Sequence, residues 1–288
     1  MIVPILRTQT EILSQLESLT FDTGNERWTE ARFYEAVNMA LMDWEGRVRV
    51  PFVYTLADGF VDGTYEYTLP TYIDSKTVQP QGRLLRYDPL LSSLSLEQET
   101  WSDINGFEVE PSATGGQTLR LHYNTENDAR LMWWAGNGPV PTSAVVLSAG
   151  IDSDDTSLTL TTKPTVGAVG YVKVESEWIQ YAGVTEAATT LTLTNLVRGV
   201  AGTTAASHLS AVACVWGVAM DRGGLWSQLL DQTRAHLMEF WLSNPASREV
   251  GQYEKQMVFF QQRADAFWRK YAPARAPRFR LSRMGMGI

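Results

Sequence analysis

The chain has few of the side chains that carry catalysis or cross-links. Its 288 residues include one cysteine, Cys214, and three histidines, His122, His208 and His236. A single cysteine excludes an intrachain disulfide and fits synthesis in a reducing cytosol. The apolar run within Met1 to Arg7 is too short for a secretory signal peptide, so the sequence predicts no export.

Long apolar runs are also scarce. The longest uncharged stretch, residues 131–151, contains three glycines and two prolines. These residues would interrupt a membrane-spanning helix repeatedly, because proline removes a backbone donor and glycine weakens the helix. We therefore expect no transmembrane segment and no membrane partner.

Familiar catalytic and ligand-binding motifs are incomplete. The sequence has no Gly-x-Ser-x-Gly nucleophile elbow. The run Asp152-Ser153-Asp154-Asp155 resembles half of a calcium loop, but it lacks the following Gly and the distant Glu, which favours a solvated turn. The run Gly199–Thr204 has no Lys after its second glycine, which favours a turn over a phosphate-binding loop. The sequence predicts no enzyme and no catalytic, metal-binding or cofactor-binding residue.

Two pairs of glutamates leave hydrolase chemistry open. Glu175 with Glu177, and Glu108 with Glu110, are spaced to share one face of a strand. Carboxyl groups about 5 to 9.5 Å apart could hydrolyse a glycosidic bond. On single strands such pairs more often mark the wet face of a sheet, and we favour that interpretation.

Charge is divided unevenly along the chain. The net charge is −8, yet residues 269–288 contain six basic residues and no acid, which leaves a balance of −14 elsewhere. An acidic body with a basic, proline-punctuated tail indicates that the tail contacts something that the body does not.

The N-terminal part predicts two helices followed by strands. Thr8 and Glu11 have the spacing of a capping box for a helix over Thr8–Leu19. Thr29 is the predicted N-cap of a helix over Thr29–Val48 that Pro51 ends. Alternating residues then predict one antiparallel sheet of moderate size. Its strands are residues 50–54, 65–70, 83–87, 106–111 and 118–123, with turns at Asp62-Gly63 and Gly115-Gly116.

Residues 144–217 predict a separate small β module of barrel or sandwich type. Short runs of alternating β-branched and polar residues are broken there by Gly, Pro and Asn. We interpret the module as an accessory inserted into a body formed by residues 1–143 and 218–271. On this interpretation, excising Ala144 to Val215 should leave a soluble protein.

A helical hairpin is predicted after the module. Its first arm spans about Arg222 to Ser243, and Ser247 is the predicted N-cap of the second arm after the turn at residues 244–247. Apolar side chains in the second arm step by four and three residues, as in a heptad seam that packs on the first arm or on a neighbouring subunit. We assign the hairpin interface to Tyr253, Met257, Phe260, Phe267, Trp226 and Phe240.

The segment 272–288 cannot continue that helix because Pro273 and Pro277 remove backbone donors. Arginines and flexible methionines suit docking against an acidic and apolar protein surface, and a disordered, solvated tail is the equal alternative. The predicted docking residues are Arg275, Arg278, Phe279, Arg280, Leu281, Arg283, Met284, Met286 and Ile288. The predicted fold class is thus α+β: a helical and antiparallel-sheet body with a C-terminal hairpin and extended arm, plus an inserted all-β domain.

Two resemblances give these elements a context. Trp28-Thr29, the helix with Val37-Asn38-Met39-Ala40, and the later Tyr67-Thr68-Leu69-Pro70 resemble the head-to-tail adaptor proteins of tailed bacteriophages over residues 6–123. The hairpin and tail resemble the same family in their order. Residues 170–181 and 193–208 resemble a small β module that recurs in phage virion proteins and brings no known chemistry.

The adaptor resemblance implies a structural virion protein made in the host bacterial cytoplasm. Such adaptors form a ring, of about twelve copies, at the head-tail junction. Their partners are the portal protein, into which the C-terminal arms reach, the tail, nozzle or tail-terminator protein, and other copies of the same chain. Genome DNA passes through without sequence-specific binding, and an acidic wall repels its phosphates. The alternative is a tail-associated receptor or glycan binder that uses the β module and its aromatic residues.

Overall fold

The computed structural model describes residues 4–22, 27–44, 47–56, 59–73, 83–87, 101–104, 106–112, 116–122, 129–142, 145–243 and 250–270. In this part of the chain, four helices and sixteen strands form an α+β fold. Every pair of neighbouring strands there is antiparallel. The predicted class is correct at this level.

The helices are α1 (Gln9–Thr20), α2 (Glu30–Trp44), α3 (Gly224–Leu242) and α4 (Val250–Lys270). The capping box of α1 is confirmed, because the Glu11 amide donates to Thr8 Oγ1 and the Thr8 amide donates to Glu11 Oε2. The predicted end of α2 is wrong. The helix stops at Trp44, whose carbonyl accepts bonds from the amides of Arg47 and Val48. The strand predicted over residues 50–54 is confirmed, and Pro51 lies within it.

Two antiparallel sheets replace the single sheet predicted for the body. The first has the order β2 (Val50–Thr55), β8 (Ala129–Ala135), β4 (Arg83–Tyr87) and β5 (Trp101–Ile104). The second has the order β3 (Glu66–Leu69), β7 (Gln117–Leu121) and β6 (Phe107–Pro111). The turns at Gly63 and Gly116 hold glycines with φ of 76° and 85°, a region that glycine tolerates best.

The module contains two further sheets. In the larger one the order is β1 (Ile5–Thr8), β16 (Ala213–Met220), β11 (Val169–Val174), β12 (Glu177–Ala182) and β15 (Val197–Val200), and β9 (Val145–Val146) also pairs with β16. The smaller one has the order β10 (Ser157–Leu160), β14 (Leu191–Thr194) and β13 (Val184–Glu186).

Strand β16 joins the module to the body within one sheet. Its second half pairs with β1, from Thr8 opposite Gly217 to Ile5 opposite Met220. Its first half pairs with β11, from Val174 opposite Cys214 to Tyr171 opposite Gly217. The predicted boundary at residue 217 therefore falls inside a continuous strand. The domain limits themselves stay a prediction.

The larger module sheet, which we term the central sheet, is covered on both faces. Alternate residues of a strand point to opposite faces. On β11, Val172 and Val174 belong to a core cluster shared with the helices, whereas Tyr171 belongs to a cluster shared with the first body sheet. On β16, Trp216 and Val218 face the helices in the same way. The central sheet is thus a layer between the helices and the first body sheet, and it shares a core cluster with each.

Candidate functional site

The predicted hairpin interface lies where α3 and α4 pack against each other. Tyr253 and Phe260 of α4 are buried there. The remaining predicted side chains are partly buried against the same core cluster: Met257, Phe267, Trp226 and Phe240. The Trp44 ring also meets the Trp268 ring edge-on, with centroids 6.3 Å apart. The apolar seam of α4 therefore packs against α3 of the same chain. The predicted N-cap of α4, Ser247, lies outside the described residues.

Beside the hairpin, large apolar side chains are exposed to solvent. Phe259, next to buried Phe260, is 53% exposed. Phe21 is 94% exposed and ends α1 in the left-handed region with φ of 56°. A bulky residue at positive φ is strained, and such strain is often found at functional sites. Since exposure of aromatic rings is costly in water, this surface is a candidate docking site.

These residues border a groove of about 510 Å³, which we term the aromatic groove. Its walls come from the end of α1, the segment just before α2, α3 and the first half of α4. Its charged lining residues, among those described, are Arg27 and Arg234. Arg27 Nη1 donates to the Tyr253 hydroxyl at 3.2 Å, and the Arg234 guanidinium lies 4.0 Å from the centroid of the Phe260 ring. The groove is therefore lined by polar and apolar groups together, and both of these arginines are held by contacts within the chain.

A buried acid lies behind that rim. Asp231 Oδ2 is 3.0 Å from Arg263 Nη2, and its other oxygen is 3.9 Å from Arg234 Nη1. Burial raises the pKa of Asp231, although the two arginines oppose that shift. The acid therefore neutralises part of the charge of the arginines and holds both side chains in place.

A second groove, of about 250 Å³, is lined by the second half of α4, by α3 and by the end of α2. His236 of α3 lies between two carboxylates there. Its Nε2 is 2.9 Å from Asp43 Oδ2, and its Nδ1 is 3.4 Å from Glu239 Oε2. Met42, next to Asp43, is 71% exposed. The groove is also lined by Asp265 and Arg47, so it carries charges of both signs.

The arm assigned to docking lies outside the described residues: Arg275, Arg278, Phe279, Arg280, Leu281, Arg283, Met284, Met286 and Ile288. Helix α4 ends at Lys270, so the arm directly follows the hairpin in the chain. Its docking stays a prediction.

The densest polar cluster of the described chain surrounds Glu177 in the central sheet. The Glu177 side chain is fully buried. Arg198 binds it in a fork, with Nε to Oε1 and Nη2 to Oε2 both at 2.8 Å. The amides of Gly199 and Ala206 donate to the same carboxylate at 2.9 and 3.1 Å, and His208 Nε2 lies 2.8 Å from Oε2. Both carboxylate oxygens are thus saturated.

These contacts hold Glu177 in its ionised form. Burial by itself would raise the pKa of Glu177, but hydrogen bonds from Arg198, His208 and the two amides outweigh it. The pKa therefore lies below the usual value of a glutamate. A general acid needs a raised pKa and access to substrate, and Glu177 has neither. Its chemistry is that of a buried anchor for the loop that follows β15.

The sequence prediction for the first glutamate pair is wrong. Strand β11 ends at Val174, and Glu175 with Ser176 forms the two-residue turn to β12. Glu175 adopts φ of 51°, so it does not share a strand face with Glu177. Its Oε2 still lies 2.7 Å from His208 Nδ1. Glu108 and Glu110 do share β6, where they pair with His122 and Arg120.

The turns predicted at residues 152–155 and 199–204 are present, and the turn predicted at residues 244–247 lies outside the described residues. The amide of Asp152 donates to Asp155 Oδ2 at 2.7 Å, which closes the acidic run as a turn. Ala201 and Gly202 adopt positive φ in the turn after β15. Among the described residues, no group of three or more His, Cys, Asp or Glu side chains could hold a metal ion, and no helix is long and apolar enough to cross a membrane.

Aromatic side chains of the module are not available to a flat ligand. Within residues 145–220, all of which the structure describes, Tyr171, Trp178, Tyr181 and Trp216 are buried. Trp133 of β8 is also buried. These rings belong to the two core clusters of the described chain.

Three asparagine side chains connect distant parts of the chain, because each forms two hydrogen bonds with the backbone of one distant residue, as a neighbouring strand would. Asn38 of α2 pairs with Val140, since its Nδ2 donates to the carbonyl at 3.0 Å and its Oδ1 accepts from the amide at 2.8 Å. Asn137 pairs in the same way with Ala219 of β16, and Asn195 with Thr55 of β2. Each side chain thus saturates one backbone amide and one carbonyl in another element.

Sequence reasoning missed both the asparagine pairs and the Glu177 cluster. From the sequence, Asn38 is notable only within the adaptor resemblance, Arg198 only within residues 193–208 of the module resemblance, and His208 also as one of the three histidines. A signal was present, because a charged residue inside an otherwise apolar strand, as in Glu177-Trp178-Ile179, needs a buried partner. The partner's position cannot be deduced from spacing along the chain.

Comparison of the chain with protein-family models, with curated proteins and with solved structures finds no match in any of the three.

Proposed function

We propose that the chain is a structural virion protein of a tailed bacteriophage, forming a ring that joins the portal vertex to the tail. In this role it is not an enzyme and uses no cofactor. Portal, tail protein and further copies of the chain are its partners, and genome DNA passes through the ring. The junction between head and tail is its place in the virion.

The observation that carries the proposal is the position of the basic arm directly after a packed helical hairpin. Helices α3 and α4 are fixed to each other and to α2, so α4 is a firm base for the segment that follows Lys270. A basic, proline-containing segment on such a base suits insertion into an acidic partner, and this is the order of elements in head-to-tail adaptors. The acidic remainder of the chain suits a wall that repels DNA.

The polar chemistry of the module supports a structural role in the same way. Glu177 and Arg198 use their hydrogen-bonding groups on one another and on the surrounding backbone. A saturated, buried network stabilises one conformation and leaves no group positioned to react with a ligand. Rigidity of this kind suits a protein that must hold its shape within an assembly.

Deletion of residues 272–288 tests the proposal. We expect the truncated chain to keep its fold and to lose attachment to the portal, measured by co-sedimentation with portal rings and by electron microscopy. Particles of the full-length chain on portal should show a ring at the lower face. Retained attachment of the truncated chain would sink the docking role of the arm.

A pair of matched variants separates charge from folding. Arg275, Arg278, Arg280 and Arg283 are changed together to Gln in one variant and to Lys in the other. The Gln variant should lose attachment, whereas the Lys variant should keep most of it, because charge attraction survives while the guanidinium fork is lost. Equal attachment of both variants would contradict an electrostatic contact. Absence of any ring on portal would contradict the proposed function itself.

A further inference from the structure

We propose that Asn137-Gly138 is a deamidation site that folding protects, so that a chain left unfolded acquires a permanent modification where the body contacts strand β16. The inference goes beyond the proposed function and does not rest on it. It is carried by the chemistry of this dipeptide and by the contacts that hold both of its residues in the folded chain.

An asparagine followed by glycine reacts readily with its own backbone. The Gly138 backbone nitrogen attacks Cγ of Asn137, a bond from that nitrogen to Cγ forms, and the bond from Cγ to Nδ2 breaks. The departing nitrogen takes up the proton of the Gly138 amide and leaves as ammonia, and a five-membered succinimide remains. Water, the only other reactant, then opens the ring at either carbonyl and gives aspartate or isoaspartate. Glycine favours the attack because it has no Cβ to obstruct the approach of its nitrogen.

In the folded chain, both ends of the Asn137 amide are bonded to strand β16. Nδ2 donates to the Ala219 carbonyl at 2.8 Å, and Oδ1 accepts from the Ala219 amide at 2.7 Å. Ring closure requires Cγ to turn towards the Gly138 nitrogen and Nδ2 to leave, so it breaks both bonds. Because Ala219 is buried, water does not replace the lost partners. The folded chain therefore reacts only when Asn137 separates from β16.

The attacking residue is confined as well. A Cβ placed on Gly138 would lie 2.6 Å from the Gly167 Cα, and one placed on Gly167 would lie 2.8 Å from the Gly138 Cα. The two backbones thus pass each other in direct contact. Two residues further along, the backbone of Val140 is bonded to the Asn38 side chain of α2. The Gly138 nitrogen therefore cannot approach Asn137 Cγ without displacing packed neighbours.

Both products are incompatible with the native contact. Aspartate places a carboxylate oxygen where Nδ2 donated, against the Ala219 carbonyl, and two acceptors there repel each other. Isoaspartate routes the main chain through the former side chain, which lengthens the backbone by a carbon atom and removes the group that paired with Ala219. A modified chain is thus hindered from refolding, and the loss of ammonia makes the change permanent.

Incubation of the full-length chain in folded and unfolded form tests the site. One sample is kept in buffer and the other in concentrated guanidinium chloride, both at the same mildly alkaline pH. Peptide mapping by mass spectrometry follows Asn137. We expect its deamidation to be at least on the order of a hundredfold slower in the folded sample, because the reaction waits for local opening. Equal rates in the two samples would overturn the protection, and an unreacted Asn137 in the unfolded sample would overturn the site.

Two other asparagines provide matched controls in the same samples. Asn195 has the same kind of backbone pair, but Leu196 follows it, so Asn195 should stay unmodified in the unfolded sample over the same time. Asn105-Gly106 repeats the reactive dipeptide, so it should react in the unfolded sample at a rate similar to that of Asn137. Deamidation of Asn195 as fast as that of Asn137 would overturn the role given to the following glycine.

Refolding tests the consequence of the modification. Chains held unfolded for increasing times are returned to buffer, and Asn137 is analysed separately in the soluble and the aggregated fractions. We expect the modified form to be enriched on the order of tenfold in the aggregated fraction, because it lacks the pair with Ala219. Asn137→Asp, made directly, should unfold at a lower denaturant concentration than the wild type or fail to fold. A wild-type midpoint for this variant, or equal modification of the two fractions, would overturn the proposed consequence.

Discussion

Glu177 shows how a single residue can organise a loop. The stretch between β15 and β16 has no long strand of its own, yet the Glu177 carboxylate accepts bonds from the amides of Gly199 in β15 and Ala206 in that stretch. Arg198 Nη2, which donates to that carboxylate, also donates to the Ala206 carbonyl at 2.6 Å. Because every member binds the same anion, loss of one charge should affect all the others.

Replacement of Glu177 by Gln is expected to lower the free energy of unfolding by about 3 kcal/mol at pH 7, since it leaves Arg198 buried without its counter-charge. Urea denaturation measures the change. Glu186→Gln is the matched control, because Glu186 is an exposed partner of Lys163 and its loss should change stability by less than about 0.5 kcal/mol. Equal effects of the two substitutions would contradict the anchoring role.

The same variant should show a characteristic pH dependence. The pKa of Glu177 is lower in the folded protein than the usual value of 4.5, so the unfolded chain takes up this proton first as the pH falls. The stabilisation is complete near pH 7 and is lost as the pH falls below about 4.5. In the same urea experiment, the difference in the free energy of unfolding between wild type and Glu177→Gln should therefore decrease as the pH is lowered from about 6 to about 3.

The asparagine pairs allow an isosteric test. Asn195→Asp keeps the acceptor for the Thr55 amide but places a carboxylate oxygen against the Thr55 carbonyl. We expect a loss of about 1 to 3 kcal/mol at pH 7, measured by thermal or urea denaturation. Protonation restores a donor, so the loss should become smaller at acidic pH. An unchanged stability at pH 7 would show that the pair contributes nothing.

At this scale the sequence predicts what is local. The capping box of Thr8 and Glu11 was identified because both partners are three residues apart. The environment of Glu177 was misjudged because its partners lie 21 to 31 residues away and strand alternation gave the wrong position for the turn. A two-residue turn at Glu175-Ser176 shifts every later side chain relative to the alternation expected for one continuous strand.

Among the helices, the α3–α4 hairpin gives a direct comparison of neighbouring residues. Phe260 is buried in the seam, whereas Phe259 is half exposed. Phe260→Ala should destabilise the monomer by about 3 to 5 kcal/mol, because it leaves a cavity in the core. Phe259→Ala is the matched control and should cost less than about 1 kcal/mol. Calorimetry measures the stability of both variants, and a loss for Phe259→Ala as large as that for Phe260→Ala would contradict this assignment.

The central sheet leads to the opposite expectation from the one drawn from sequence. Excising residues 144–215 removes β11 and β12 and leaves β1 paired with a shortened β16. Each of the two core clusters then loses the side chains that the central sheet contributes to it. We now expect the remaining chain to be insoluble or to lack cooperative unfolding, as measured by expression and thermal denaturation. A soluble remainder with a sharp transition would show that the body folds alone.

Element prediction succeeded where periodicity was sustained and failed where elements are short. Four residues, Ile5–Thr8, do not distinguish a strand from a loop, so β1 was missed. Strand β8 was missed because its run of apolar residues does not alternate. Pro51 lies in β2 opposite Trp134 of β8, as expected for the strand over residues 50–54, whereas α2 ends at Trp44, seven residues before it.

For the whole molecule, the division of charge predicts a salt dependence. If the basic arm docks on an acidic partner, raising the salt from about 0.05 to about 0.5 M should weaken attachment to the portal on the order of tenfold, because salt shortens the Debye length and screens the charges. Co-sedimentation across this range measures it. The variant with Gln at the four arm arginines should show little further change with salt. Attachment of the wild type that is insensitive to salt would contradict an electrostatic contact.

The overall class was accessible from sequence, and the layering was not. Helical and strand periods identified an α+β chain with a late hairpin. The order of layers depends on which faces of the central sheet meet the helices and the body, and it is fixed by pairs such as Phe52 with Tyr171, whose rings lie 5.2 Å apart. Such pairs are far apart in sequence, and no local pattern specifies them.

The pairing of β1 with β16 also has a consequence for the nascent chain. Ile5 lies opposite Met220, so the first strand has no partner until some 215 residues later have left the ribosome. At about 5 to 20 residues per second, that interval is on the order of 10 to 40 s. The central sheet cannot close during this time, and the helices that pack on it have no surface to cover. Folding of this protein is therefore expected to begin in earnest only when synthesis is well past its midpoint.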